Sequence, residues 1–370
     1  DLIHPNIEMI FTSDEESSMT GAKEIDLSII KSKRIISLDA FNEDTIIYGC
    51  ASNYSRVLKF SRKIEDFKIS GNTFSIVIDG FLGGHSGIDI DKGRGNPIIS
   101  MATIINELQK LDKDLVINNI DSGTWVTAIP RNAQCIITSS KLDTKMIENL
   151  IKSYEKLLRK QYNNDEITIK LSKEKNVEKC FDSKTSNKIV NYILNFPNGV
   201  LMRDEENDVI LSTNIGTAFM DNDNLIIENS IRSNLKKDET DTIVHEIEKY
   251  DEKSGFITTQ IFDFPGYKQE KNSDFIIFLS NFYKKIYNRP PKLKQEHIFL
   301  EGNWFAKKVN NLEYVSISPN IYYAHSSNEM VSLSSISKMW EYIKITLDNY
   351  DKELKTEKGK CKKLTSYICS

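Results

Sequence analysis

Chemistry in this chain would have to come from five histidines and a few carboxylates placed at the ends of apolar runs. Glu15-Glu16 follow directly on the apolar stretch of residues 7–12. If that stretch is a strand, the pair sits at a carboxyl end, where open α/β sheets place their sites. Adjacent carboxylates point in different directions, so one can hold a metal while the other handles a proton. Taken alone, a solvated acidic start to a helix is the simpler explanation of the pair. Asp39 ends the next apolar run, residues 35–38, and can be a ligand or the cap of the following turn. His325, in Ala324-His325-Ser326-Ser327-Asn328-Glu329, lies after the run of residues 314–318, where a neutral imidazole can ligate or simply meet solvent. His85 is more pointed, because Gly83-Gly84 and Ser86-Gly87 flank it and glycine permits close backbone approach by a ligand. His297, four residues before Glu301, is a second candidate for substrate contact. His245 falls in an acidic amphipathic stretch and reads as surface, and His4 precedes Pro5 and reads as structural.

Other chemistries are excluded by what is missing. No HExxH, GxxxxGK[ST] or GxSxG occurs. Gly93-x-Gly95 lacks the third glycine and the preceding strand of a dinucleotide site. With 49 basic against 53 acidic residues there is no basic footprint for nucleic acid. No apolar run approaches the ~20 residues of a membrane-spanning helix. Cys50, Cys135, Cys180, Cys361 and Cys369 form no CxxC pair, and an odd, sparse set points to a reduced, cytoplasmic setting.

The elements that must position these residues read as α/β, then α+β, then α/β. Short apolar runs at 7–12, 34–39 and 45–50 suit strands buried on both faces. From about residue 55 longer alternating strands are separated by amphipathic helices. One of these starts at an Asn96 cap with Pro97 in first position and runs to about Leu111. Further helices fit residues 142–161, 184–194 and 239–249, and residues 208–232 read as a hairpin about Asp221-Asn222-Asp223-Asn224. From Pro265-Gly266 the first texture returns, with helices over 273–287 and 334–350 and strands at 294–299 and 314–318. The expected organisation is residues 1–54 and 264–350 as one domain, 55–263 as an insertion, and 351–370 as a Lys-rich disordered tail.

The order of these motifs resembles the bacterial Xaa-His dipeptidases (aminoacyl-histidine dipeptidase, peptidase D). They belong to the co-catalytic zinc metallopeptidases, with carnosinase-type dipeptidases and aminoacylases. The resemblance is carried by Asp14-Glu15-Glu16, Leu38-Asp39, Gly49-Cys50-Ala51, Gly83-Gly84-His85-Ser86-Gly87 with Gly95-Asn96, and Ala128-Ile129-Pro130-Arg131. It continues through Asn214-Ile215-Gly216, Ile231-Arg232-Ser233, Pro265-Gly266-Tyr267-Lys268, His297 with Leu300-Glu301, and His325-Ser326. It implies a three-layer α/β catalytic domain, N-terminally truncated, with an inserted α+β lid.

By the same resemblance Glu15 is the general base, Glu16 and His325 hold one zinc, and Asp39 holds the other. His85, Asn214 and Arg232 meet the substrate from the lid, and His297 and Glu301 line the opposite side. The implied activity is metal-dependent hydrolysis of dipeptides, with a C-terminal His among the candidates. The implied cofactor is two zinc ions, though carboxylate and imidazole donors also suit manganese or cobalt. The partner expected is a short peptide, with a homodimer open. An aminoacylase on the same fold, or an inactive peptide-binding or dimerising scaffold, are the rival readings. The family also takes a His-x-Asp pair and a bridging Asp from a segment before the paired glutamates. Here only Asp1-Leu2-Ile3-His4 and the residues that follow stand there, so the chain is expected to be the rear part of something longer and to bind zinc poorly as it stands. Phe299, Gly302 and Asn303 replace small family positions around Glu301.

Overall fold

In the computed structural model the chain divides into two compact units, Asp1–Ser52 with Phe264–Ser370, and Asn53–Asp263. The structure describes residues 4–15, 18–60, 65–66, 71–175, 179–322, 329–356 and 366–369, with backbone alone at 65–66, 259–262, 351–356 and 366–369.

The first unit is a three-layer sandwich. Its sheet runs in the order Ile7–Ile10, Ser366–Cys369, Arg34–Ser37, Glu313–Ser316, Thr45–Cys50 and Tyr267–Lys268, with Lys292–Glu296 paired to Thr45–Cys50. The first four strands are parallel, so their carboxyl ends share one edge. Alternation shows why such strands are apolar throughout. Ile35 and Tyr314 enter a core with Trp304 and Phe305 on one side, while their neighbours Ile36 and Val315 enter a core with Phe275, Leu279 and Tyr342 on the other. The helices Asp274–Tyr287 and Leu333–Thr356 cover the second face.

Of the expected disordered tail, the described residues 351–356 and 366–369 are ordered instead: the last helix continues to Thr356 and Ser366–Cys369 forms a strand. The helix continues because extending an established helix costs little compared with nucleating one. The strand forms because it pairs on both sides, Ile7 and Arg34 both opposite Ser366, and so fills the sheet between two strands that otherwise face each other unpaired.

The second unit is a nine-stranded sheet in the order Thr168–Glu174, Asn72–Asp79, Ala133–Ser139, Val116–Ser122, Val209–Asp221, Asn224–Ser233, Ser52–Phe60 and Phe256–Phe264, with Gly199–Arg203 paired to Val209–Asp221. One face packs against the helices Pro97–Leu111, Thr144–Tyr162, Ser183–Asn195 and Lys237–Ser254. Local chemistry starts these helices where the residue types predict. Asn96 accepts from the Ile98 amide with Pro97 next in line, and Asp143 accepts from the Met146 amide. Ile98, Met101, Ile105 and Leu108 then recur at helical spacing and are buried. His245 is exposed on the Lys237–Ser254 helix. Cys50, Cys135 and Cys180 are buried reduced cysteines. Among the described residues no helix is long and apolar enough to cross a membrane.

Candidate active site

Within the first unit, the turn after Ile7–Ile10 carries Glu15. Asp14 (φ 64°) and Met19 (φ 52°) both take left-handed backbone that non-glycine residues avoid, and they bracket the turn. The Met19 amide donates to the Asp14 carbonyl at 2.7 Å, and the Asp14 carboxylate accepts from the Ser18 and Thr20 hydroxyls. Gly21 closes the base of the turn by donating to the Ser13 carbonyl at 3.0 Å. A Cβ at Gly21 would lie 2.5 Å from the Ser13 nitrogen, so no larger residue fits without moving the turn. Such strain persists only where surrounding contacts enforce it, and here it holds a half-exposed carboxylate at a sheet's carboxyl edge.

Asp39 lies two residues beyond Arg34–Ser37, at the same edge. Its amide donates to Ser37 Oγ at 3.2 Å, and Ser316 Oγ donates to its carbonyl. His297 follows Lys292–Glu296 and is buried. The Ala51 amide faces the carbonyls of Glu296 and Ile298 at 3.1 and 2.8 Å, which pins the backbone on both sides of His297. A small core of Ala40, Ile47, Cys50, Ile298 and Leu300 then gathers the neighbours of Asp39, His297 and Glu301. Burial, with the carboxylates of Glu296 and Asp39 adding to it, pushes the Cys50 thiol well up, so this cysteine is an inert wall. Glu301 reaches the Glu15 segment, accepting from Thr12 Oγ1 at 2.5 Å.

Burial raises the Glu301 carboxyl above its ordinary value of 4.5, while the Thr12 hydroxyl opposes the rise. The fold therefore favours the protonated form. That contribution is present below the unfolded value and is lost as pH rises through the folded one. Glu301→Gln is expected to unfold at higher urea than the parent at about pH 7, with the gap closing by about pH 4. Equal midpoints at both pH values would remove this assignment.

Of the three predicted metal ligands only Asp39 is among the described residues; Glu16 and His325 lie outside them. Among the described residues, the group of three donors within one ion's reach is Asp204, Glu206 and Asp208 in the second unit. All three are exposed, and the Glu206 and Asp208 amides both donate to Asp204 Oδ1, so the group is a hydrogen-bonded turn. A cavity of about 460 Å³ in the first unit is lined in part by Glu43, Asp44, Arg289, Lys292, Lys294 and Glu296, and by none of the predicted site residues. Its cations pair with its own carboxylates, Lys292 and Arg289 with Asp44 and Lys294 with Glu296. Charges of this kind guard an edge strand against further pairing.

Within the second unit three predicted residues do come together. Along Val209–Asp221, Leu211 and Ile215 enter the core, so the alternating Ser212 and Asn214 face the other way. On Asn224–Ser233, Leu225, Ile227 and Ile231 enter the core and Ser230 and Arg232 face out. The register sets Asn214 opposite Ser230 and Ser212 opposite Arg232, which yields one polar face. His85 meets that face from a short ladder in which it opposes Ala128. Asn214 Nδ2 donates to the Ala128 carbonyl at 2.8 Å. Arg232 Nε donates to Ser86 Oγ at 3.2 Å, and its Nη2 lies 3.4 Å from His85 Nε2. Arg232 is 1 % exposed, and burial pushes its guanidinium down to about 9. A desolvated cation of this kind gains most from a bound anion, because the anion returns what burial took away. Thr12 and Ser86 are contacts that residue types alone do not single out; their signal is nearness in sequence to Glu15 and His85.

The pattern described as "Peptidase dimerisation domain" (M20) matches residues 77–166. The chain is 25 % identical over 344 residues to the cytosol non-specific dipeptidase of Escherichia coli (strain K12), covering 92 % of this chain and 70 % of that one. Aminoacylhistidine dipeptidase from Vibrio alginolyticus superposes with a TM-score of 0.78 at 24 % identity, covering 91 % of this chain and 69 % of that one. The chain has the M20 peptidase fold. The first unit is accordingly the catalytic-type domain of that fold and the second its dimerisation or lid domain.

Proposed function

We propose that this chain performs metal-dependent hydrolysis of dipeptides. The observation that carries the proposal is the convergence of buried Arg232, His85 and Asn214 on one polar face of the lid unit, a receptor for a small molecule with a free carboxylate. Similarity to two dipeptidases supports the same reading. Glu16 and His325 would hold one divalent cation and Asp39 would contribute to a second, zinc by preference; carboxylate and imidazole are donor types that zinc, manganese and cobalt accept. When bound, such ions polarise the scissile carbonyl and acidify water.

The chain's own residues supply the rest. Glu15 accepts a proton from the attacking water and delivers it to the leaving amine. Arg232 binds the terminal carboxylate, with Asn214 holding the Ala128 segment beside it. His85 donates a hydrogen bond to the carbonyl oxygen as negative charge grows there. On the catalytic unit, His297 and Glu301 are the residues proposed to contact substrate. A cytoplasmic setting and a homodimer suit this reading, given the relative named as cytosolic and the matched dimerisation pattern.

The deciding experiment titrates purified chain with zinc, manganese or cobalt and compares Xaa-His dipeptides with other dipeptides and N-acyl amino acids. Cleavage of dipeptides that needs excess metal and is abolished by a chelator is expected, slow because the chain carries only three assigned ligands. Faster turnover of N-acyl amino acids would replace the peptidase reading with a deacylase. Metal-saturated chain that binds dipeptide without cleaving it would replace it with a binding scaffold.

A further inference from the structure

The turn that carries His85 is closed by a single carboxylate. The His85 amide donates to Asp89 Oδ2 at 2.9 Å, and the Asp89 amide donates back to the His85 carbonyl at 2.9 Å. The other carboxylate oxygen, Oδ1, meets Arg94 Nη2 at 2.8 Å and Lys92 Nζ at 2.9 Å. Lys92 is half exposed, so its pairing contributes little. Arg94 contributes more, since its Nη1 also donates to the Gly83 carbonyl and so ties the start of the glycine pair to the carboxylate beyond it. Gly84 lies beneath this clamp at φ 145°. A Cβ on it would come within 2.2 Å of Arg94 Nη1 and 2.5 Å of Asp89 Oδ2, so the clamp can close only over glycine.

Closure has a consequence at the imidazole. It aims the Gly87 and Ile88 amides at His85 Nδ1, at 3.2 and 3.1 Å. A ring nitrogen that accepts from N–H groups carries no hydrogen of its own, so the neutral ring must carry its hydrogen on Nε2. Nε2 is the atom facing Arg232 Nη2, and a guanidinium nitrogen only donates. Two donors facing each other at 3.4 Å do not bond to one another, and an acceptor oxygen within reach of both would take a hydrogen bond from each.

We propose that Asp89, braced by Arg94, is a positioning residue that fixes His85 as its Nε2–H tautomer and so makes it a hydrogen-bond donor toward substrate. The role toward substrate rests on the peptidase reading above, whereas the tautomer does not. The glycines around His85 are thereby explained by the clamp as well as by access for a ligand.

The test uses the full chain with 15N-labelled histidine at about pH 8, where an ordinary imidazole is neutral. The His85 signal is identified by its loss in His85→Asn. Two-bond proton–nitrogen correlations are expected to show a single Nε2–H tautomer in the parent and a mixture in Asp89→Ala. Dipeptide kcat/KM is expected to fall about 10²-fold in Asp89→Ala, as for other small misplacements of a reacting group. Asp89→Asn, which keeps an acceptor for the His85 amide, is expected to restore part of both. Arg94→Met gives the same tautomer readout should Asp89→Ala fail to fold. An Nδ1–H parent, or an unchanged tautomer in folded Asp89→Ala or Arg94→Met, overturns the proposal. A chain that cleaves no peptide yet changes tautomer in these variants retains the positioning role and loses the peptidase reading instead.

Discussion

Exchanging Glu15 for Gln is expected to lower kcat on a dipeptide by about 10²–10⁴-fold, the usual worth of a positioned general base, and to leave KM within a few-fold. Glutamine matches glutamate in size and keeps hydrogen-bonding capacity, so the turn has no steric reason to move. That turn is held by other groups: the Asp14 carboxylate on Ser18 and Thr20, the Met19 amide on the Asp14 carbonyl, and Gly21 on Ser13. What the exchange removes is the ability to take a proton from water at neutral pH. The urea midpoint should therefore stay at the parent's value while turnover collapses. A loss of less than tenfold would take the base role away from Glu15. A matching loss of stability would make the effect structural.

Asp251→Asn is expected to be among the most destabilising single substitutions in the second unit, at about 3–5 kcal/mol. Asp251 pairs with Arg56 and accepts from the Tyr192 hydroxyl at 2.9 Å, and Arg56 and Asp251 are each 0 % exposed. The three residues come from the Ser52–Phe60 strand, the Lys237–Ser254 helix and the Ser183–Asn195 helix, so one carboxylate joins three elements. Burial already holds the Arg56 guanidinium below its ordinary value. Removing its counter-charge leaves a cation out of water with only Tyr192 and the Glu248 charge to offset the cost. The double variant Arg56→Met/Asp251→Leu should regain most of the loss, because two apolar side chains carry no desolvation penalty. Urea unfolding measures both. A single-variant cost below about 1 kcal/mol, the value of an exposed pair, would show that water reaches the site.

The clearest features in the sequence are those set by neighbours within a few residues. Asn96 followed by Pro97 starts a helix because a cap oxygen and a preset φ act on the very next turn. Asp221-Asn222-Asp223-Asn224 closes a hairpin, with Asn222 in the left-handed region, for the same local reason. The apolar runs around Ile35 and Tyr314 announce strands covered on both faces, and the glycines about His85 announce a tight turn. Glu15 and Asp39 were legible as candidates because each stands just past such a run. Whether either was a cap or a ligand was not legible, since both roles use the same residue type in the same place.

Contacts between distant segments were beyond its reach. Asn214 and Arg232 share a face only because the Val209–Asp221 and Asn224–Ser233 strands pair in one register, and a slip of one residue would send one of them into the core. Thr12 meets Glu301, and Arg56 meets Asp251, through packing that no local pattern encodes. The Lys-rich end misleads for the same reason: Ser366–Cys369 is only four residues behind a Lys-rich run, too short to predict a strand alone, and it becomes one because two parallel edges pair with it. Residue types and short spacings thus determined which groups could do chemistry and which turns hold them. Only the tertiary structure decided which of those groups meet, because hydrogen-bond register and burial depend on partners far away along the chain.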